Sequence, residues 1–129
     1  MSEYGTAHPS GVRQITATEL SQLRQSGEPF ELVDVRTEME REMASINGSR
    51  LLDKAYGDRL LTLDRETLLV FQCHHGIRSQ AAAEYCVRAG FTRVCNLVGG
   101  IDAWSCPVDP HVPRYWNRRS GPTVPTFTL

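Results

Sequence analysis

Short apolar runs alternate with amphipathic segments through most of the chain. Five largely apolar runs predict β-strands, at 12–15, 30–35, 50–52, 68–71 and 94–98. Five intervening segments predict helices, at 16–25, 37–44, 55–63, 79–89 and 101–104. Strands that are apolar on both faces and alternate with helices indicate an α/β fold, in which a parallel sheet is covered by helices on both sides.

Two of the predicted helices carry further local signals. Thr16 and Glu19 have the spacing of a capping box, and Gly27 provides a C-terminal stop for the same helix. On the long helix, polar residues that recur every four positions predict the solvent-exposed face: Gln80, Glu84 and Arg88. The order Glu84 then Arg88 favours an ion pair between neighbouring turns.

Composition limits the classes of protein that fit. The 129 residues suit one domain, and 40% hydrophobic with 22% charged residues is an ordinary globular balance. A formal net charge of -1 gives no reason to expect nucleic acid or an anionic membrane surface as a partner. Because no secretory signal or membrane-spanning run is present, a cytoplasmic protein is expected.

The composition also divides the chain into three parts. Residues 1–11 are polar and are expected to form a flexible N-terminal arm, and residues 12–105 form the predicted domain. Residues 106–129 hold five of the seven prolines and show no periodicity, so a proline-rich tail is expected there.

The candidate chemistry lies between the fourth strand and the long helix, in Cys73-His74-His75-Gly76-Ile77-Arg78-Ser79. A short loop between a strand and a helix aims its N–H groups and the positive end of the helix dipole at one point, which favours a thiolate. Gly76 allows the loop to curl, and Arg78 either docks an anionic substrate or makes a structural salt bridge. Ser79 is predicted to cap the helix. In parallel sheets this position, at the carboxyl end of a strand, is where ligands bind.

Cysteines and histidines elsewhere have simpler interpretations. The four cysteines lack zinc spacing, and free thiols are expected: Cys73, Cys86, Cys95 and Cys106. Cys86 and Cys95 are predicted to be core residues, and Cys106 either takes part in sulfur chemistry or is an uninvolved surface thiol. Adjacent histidines rarely bind one ion without further ligands, so His74 and His75 predict no metal site. No cofactor is expected either.

Three motifs, in order and on the matching strand and helix pattern, resemble the rhodanese family of sulfurtransferases. The first is Asp34-Val35-Arg36 with Glu40 and Ile46-x-Gly48, and the second is the Cys73 loop. The third runs from Val94 through Gly99-Gly100-Ile101-x-Ala103-Trp104. The paired histidines of the loop are similar to a bacterial single-domain subgroup.

The resemblance implies a rhodanese-like fold with a central five-stranded parallel sheet, and a catalytic Cys73 that carries sulfane sulfur as a persulfide. Residues 74–79 would surround the terminal sulfur with N–H groups. Independently of the resemblance, Asp34, Arg36 and Glu40 lie at or soon after a neighbouring strand end, where they either touch the substrate or pair with one another and brace the loops. Thiosulfate is a typical donor for the family, and a thiol or cyanide is a typical acceptor.

Two other functions use similar parts. A persulfide carrier would exchange sulfur with protein donors or acceptors and turn over small molecules poorly. Cysteine phosphatases and some arsenate reductases also combine a cysteine with an arginine. Cysteine phosphatases, however, place five residues between the two, whereas four lie between Cys73 and Arg78. The shorter loop favours a single sulfur over a tetrahedral phosphate.

Overall fold

The computed structural model describes residues 5–105, with the side chain of residue 105 left out. Strands and helices alternate through this part of the chain. The strands are β1 (Arg13–Ile15), β2 (Glu31–Asp34), β3 (Arg50–Leu51), β4 (Leu69–Gln72) and β5 (Val94–Leu97). The helices are α1 (Ala17–Ser26), α2 (Glu38–Met43), α3 (Lys54–Leu60), α4 (Ile77–Arg88) and α5 (Gly100–Ser105).

The five strands form one parallel sheet in the order β1-β5-β4-β2-β3. This confirms the predicted α/β fold with a five-stranded parallel sheet. β4 is the central strand, with β5 and β2 on either side, so its carboxyl end lies in the middle of one edge of the sheet. The loop that begins with Cys73 leaves from that position.

Helices cover both faces of the sheet, as predicted, and each face has its own apolar core. One core joins α1 and α5 to the sheet through residues such as Leu20 and Trp104. The other joins α3 and α4 to the opposite face through residues such as Tyr56 and Cys86. β4 supplies Val70 to the first core and Phe71 to the second, which is the alternation expected of a strand buried on both sides.

The predicted signals of α1 are confirmed. The Thr16 side chain accepts from the Glu19 N–H while the Glu19 carboxylate accepts from the Thr16 N–H, and Gly27 ends the helix with a φ of 80°. A second capping box begins α2, between Thr37 and Glu40. It places Glu40 on the first turn of α2, close to the Cys73 loop.

Two predictions about α4 are wrong. Its N-cap is Gly76, which makes no side-chain cap, and Ser79 lies inside the first turn, where its hydroxyl has another use. The predicted solvent-exposed face is also wrong, because two of its residues, Gln80 and Glu84, are half-buried. Gln80 accepts a hydrogen bond from Gln14 of β1 and donates one to Glu84, so the polar spacing reflects contacts with β1 and within the helix.

One of the first described residues contacts the sheet. Thr6 pairs with Gln14 of β1 through two backbone hydrogen bonds of 2.8 and 2.9 Å. The boundary at residue 12 remains a prediction, and the proline-rich tail with Cys106 lies outside the described residues. Within residues 5–105, no helix combines the length and apolar character needed to cross a membrane.

Candidate active site

The Cys73 sulfur lies at the focus of a turn between β4 and α4. The Gly76 N–H donates to Cys73 Sγ at 3.1 Å, and the Ser79 N–H donates at 3.4 Å. The Ser79 hydroxyl oxygen lies 3.3 Å from the same sulfur. Cys73 is only 1% exposed, so these contacts are its immediate environment. Two of the N–H groups expected to point at the sulfur, those of Gly76 and Ser79, therefore do so.

Gly76 is needed for that turn. Its φ is 99°, a conformation that L side chains rarely adopt. A Cβ there would also lie 3.1 Å from the Leu97 carbonyl oxygen and 3.3 Å from the Gly99 nitrogen. The loop thus passes against the end of β5, where a side chain on Gly76 would crowd the backbone.

Asn96 is a site residue that the sequence interpretation missed. Its Oδ1 accepts a hydrogen bond of 2.5 Å from the Ser79 hydroxyl, and its Nδ2 donates to the Gly76 carbonyl at 3.1 Å. The side chain is buried in β5, beside the loop. One amide therefore holds both ends of the turn that surrounds Cys73. The available signal was a polar amide inside an otherwise apolar predicted strand.

The start of α5 holds the loop from a second direction. The Ile101 N–H donates to the Cys73 carbonyl at 2.8 Å, and the Asp102 N–H donates to the His74 carbonyl at 3.2 Å. This approach depends on Gly100, because a Cβ there would lie 2.1 Å from the Cys73 carbonyl oxygen. The diglycine turn therefore lets α5 dock directly on the reactive loop.

Arg78 makes an ion pair with Glu40. Its two terminal nitrogens donate to the two Glu40 carboxylate oxygens at 2.8 and 2.9 Å, which ties the first turn of α4 to α2. Of the two roles left open for Arg78, the structure contains the salt bridge. The Arg78 side chain is 39% exposed, so this pair lies at the rim of the site.

Asp34 and Arg36 pair with each other, as predicted, at and just after the end of β2. The Arg36 guanidinium donates to both Asp34 oxygens at 2.7 Å and to the Ala44 carbonyl at 2.8 Å. Arg41, which the sequence interpretation did not include, also donates to Asp34 at 2.9 Å. The predicted set is therefore divided: the Glu40 carboxylate pairs with the active-site loop, whereas Asp34 and Arg36 brace the end of β2 and α2.

His74, His75 and Ile77 complete the loop. The two imidazole rings are stacked with their centroids 4.0 Å apart, and His75 Nε2 lies 3.7 Å from Asp102 Oδ2. Ile77 is 81% exposed and lies on the outer side of the first helical turn. The histidines therefore face α5, while Ile77 faces away from the protein.

The other described cysteines belong to the core. Cys86 packs on the α3 and α4 side and Cys95 on the opposite side, and both are free thiols. Burial raises the pKa of the Cys86 thiol, an effect that the Arg65 charge partly opposes. Because a raised pKa disfavours the thiolate form, Cys86 is a poor nucleophile.

Fold and site together define a parallel α/β protein that surrounds a cysteine with N–H donors at the carboxyl edge of its sheet. The model of the Rhodanese-like domain family matches residues 16–106, and the chain belongs to this family. The predicted resemblance to rhodaneses is confirmed.

Curated relatives of this chain include a protein of similar length and a much longer protein. The chain is 34% identical over 93 residues to thiosulfate sulfurtransferase GlpE of Pseudomonas aeruginosa, which covers 71% of the chain and 83% of GlpE. It is also 34% identical over 104 residues to the probable adenylyltransferase/sulfurtransferase MoeZ of Mycobacterium tuberculosis. That match covers 78% of the chain but only 26% of MoeZ.

Solved structures share the fold. A rhodanese-like domain protein from Staphylococcus aureus is 30% identical with a TM-score of 0.62, covering 70% of the chain and 89% of that protein. A Rhodopseudomonas palustris protein of unknown function, described as a possible tyrosine phosphatase, is 25% identical with a TM-score of 0.65. It matches 81% of the chain and 86% of its own length.

Proposed function

We propose that this protein is a sulfurtransferase that carries sulfane sulfur as a persulfide on Cys73. The observation that supports this most directly is the pair of donors around one buried sulfur: the backbone N–H groups of Gly76 and Ser79, both within 3.4 Å. Donors held in fixed positions around a water-excluded atom stabilise negative charge there. A thiolate and the terminal sulfur of a persulfide both carry that charge.

The proposed reaction has two displacement steps. The Cys73 thiolate attacks the outer sulfur of thiosulfate, the sulfur–sulfur bond of thiosulfate breaks, and sulfite leaves with the electron pair. The enzyme then holds Cys73–S–S⁻. A nucleophilic acceptor, either a thiolate or cyanide, attacks the terminal sulfur and displaces the Cys73 thiolate, so that no net oxidant or cofactor is needed. Cyanide leaves as thiocyanate.

The remaining loop residues contribute mainly through position. His74, His75 and Ile77 form the wall of the loop, and Gly76 supplies both the curl and an N–H donor. Arg78 acts through its pair with Glu40, which fixes the first turn of α4. An anionic donor that bound the partly exposed guanidinium would compete with the Glu40 carboxylate for it.

The pairing of Asp34 with Arg36 would act at a greater distance. The buried guanidinium joins the end of β2 to the chain after α2, through the Ala44 carbonyl. Glu40 of α2 pairs with Arg78 of the active-site loop. By holding α2 in place, the Asp34–Arg36 ion pair would also keep the Glu40 carboxylate in position.

Thiosulfate is the small-molecule donor we propose, because GlpE is named for it. A carrier function with protein donors or acceptors is the second candidate. MoeZ supports it, since the matching part of MoeZ is about a quarter of a longer protein whose name joins sulfur transfer to adenylyl transfer. The two candidates share the Cys73 persulfide and differ in how fast free thiosulfate is consumed. A cytoplasmic location fits either one.

Intact-protein mass spectrometry tests the persulfide. Wild-type protein incubated with thiosulfate should gain the mass of one sulfur atom and lose it on addition of cyanide, with release of thiocyanate. Cys73→Ser should do neither, while Cys86→Ala, a matched change at another buried thiol, should behave as wild type. No uptake by reduced wild-type protein would reject thiosulfate as donor. Slow uptake with fast transfer from a protein persulfide would favour the carrier.

An aryl phosphate assay addresses the phosphatase alternative raised by the Rhodopseudomonas protein. Four residues separate Cys73 from Arg78, and the turn contacts one sulfur atom closely. We expect no hydrolysis above that of Cys73→Ser. Hydrolysis that depends on Cys73 would overturn the argument from loop length.

A further inference from the structure

Three potential metal ligands meet on the α5 side of the reactive loop. They are one nitrogen each from His74 and His75 and a carboxylate oxygen of Asp102, and all lie within 4.8 Å of one another. The adjacent histidines alone gave no reason to expect a metal site. The structure adds a third group from a different element, Asp102 of α5, which lies 27 residues after His75 in the sequence.

The backbone fixes this arrangement. The Asp102 N–H donates to the His74 carbonyl, and the preceding N–H, of Ile101, donates to the Cys73 carbonyl. Gly100 permits the close approach, because any Cβ would collide with both carbonyl oxygens. Asp102 is therefore held beside the histidine pair by the docking of α5, before any ion binds.

The separation between His75 and Asp102 is too long for a direct hydrogen bond and close to that of two ligands on one ion. His75 Nε2 and Asp102 Oδ2 are 3.7 Å apart, whereas N–H···O bonds are about 2.7–3.2 Å long. Two ligands of a tetrahedral zinc ion with bonds of about 2.0–2.1 Å lie roughly 3.3 Å apart. The two imidazole rings stack face to face with their centroids 4.0 Å apart. Rotation of the half-exposed His75 side chain would bring its Nε2 closer to Asp102.

We propose that His74, His75 and Asp102 bind a divalent transition-metal ion of the Zn²⁺, Co²⁺ or Ni²⁺ type. Two imidazoles and one carboxylate suit these ions better than Mg²⁺ or Ca²⁺, which prefer oxygen ligands alone. The ion would bridge the Cys73 loop and α5. Three protein ligands leave a further position for water.

Titration with Co²⁺ tests the site in the full-length reduced protein, and the spectrum identifies the ligands. Wild type should bind one Co²⁺ with bands typical of nitrogen and oxygen ligands and without a thiolate charge-transfer band, and Zn²⁺ should displace it. Asp102→Asn and His75→Asn should each weaken binding by at least about tenfold. His74 is too buried to be a useful variant.

Matched controls separate this site from surface binding. His8→Asn removes an exposed histidine and Asp58→Asn an exposed carboxylate, and both should bind Co²⁺ as wild type does. Zn²⁺ should also raise the Tm of wild type and of the controls but not of Asp102→Asn, because an ion that binds only the folded state stabilises it.

Several results would overturn the proposal. One is the absence of stoichiometric Co²⁺ binding by wild type at submillimolar metal. Another is a thiolate band that disappears in Cys73→Ser, which would place the ion on the sulfur. Unchanged binding by folded Asp102→Asn and His75→Asn, or binding lost in His8→Asn, would place it elsewhere on the surface. None of these outcomes depends on sulfurtransferase activity.

Discussion

Replacing Gly100 by alanine should separate α5 from the reactive loop. A Cβ at Gly100 would lie 2.1 Å from the Cys73 carbonyl oxygen and 2.5 Å from that of His74. Both neighbours are backbone atoms, so no side-chain rotation can relieve the contact. Either α5 or the loop must move, and the two hydrogen bonds from Ile101 and Asp102 to the loop should be lost.

The size of the effect follows from two contributions. The φ of Gly100 is 61°, and a left-handed conformation costs alanine about 1–2 kcal/mol. Two lost hydrogen bonds at a net 0.5–1.5 kcal/mol each add about 1–3 kcal/mol. The free energy of unfolding should therefore fall by roughly 2–5 kcal/mol, before any loss of apolar packing around α5.

Gly27→Ala is the matched control. Gly27 also has a positive φ, 80°, but an added Cβ would have no neighbour within 4 Å. It should cost only the conformational part, about 1–2 kcal/mol. Urea unfolding of both variants, followed by circular dichroism, isolates the docking contribution as the difference between them.

We expect Gly100→Ala to be the less stable of the two by at least about 1 kcal/mol, which corresponds to several degrees in Tm for a domain of this size. Sulfur uptake by Gly100→Ala should also fall, at temperatures where both variants are folded. Equal stability of Gly100→Ala and Gly27→Ala, with normal uptake, would refute the argument that α5 holds the loop.

Three further changes test other contacts. Glu40→Gln keeps the capping box but removes the charge that pairs with Arg78. In urea unfolding at low salt, the free energy of unfolding should fall by up to about 1 kcal/mol, and high salt should abolish this difference from wild type. Ser79→Ala removes the hydroxyl that contacts the Cys73 sulfur and links Asn96 to the turn, and it should slow persulfide formation about tenfold, measured by mass spectrometry at fixed pH; an unchanged rate would mean that this link does not hold the N–H donors in place. Burial and a hydrogen bond to a carboxylate raise the pKa of Tyr56 in the folded protein, so above about pH 10 the unfolded chain loses this proton while the folded protein keeps it. The free energy of unfolding should therefore fall as the pH rises above about 10, and it should fall less steeply in Tyr56→Phe.

The fold could be predicted from the sequence because each element depends on local information. A capping box at Thr16 and a glycine at position 27 define α1 without help from the rest of the chain. The apolar residues of β4 require cover on both faces, and only a central strand of a parallel sheet provides it. These requirements act over a few residues, so they can be recognised without coordinates.

The site was only partly predictable, because its contacts join residues far apart in sequence. The Cys73 turn is local, and its glycine and following helix identified it. Asn96 lies more than twenty residues away and reaches Ser79 only because β5 pairs with β4. Ser79 was predicted to cap the helix because a serine near the start of a helix usually does so. Its hydroxyl instead lies between Asn96 and the Cys73 sulfur.

A cysteine, a glycine and the start of a helix are not sufficient to define such a site, because the turn also needs contacts from other elements. Without those contacts, a turn of this size could change conformation and move its N–H groups away from the sulfur. Here β5 holds it through Asn96, α5 through N–H groups that meet its carbonyls, and α2 through the carboxylate of Glu40. Charge stabilisation in an active site depends on donors that need not reorganise when the charge forms. Three elements distant in sequence supply that rigidity, so weakening any one of them should lower reactivity at Cys73 without touching the cysteine.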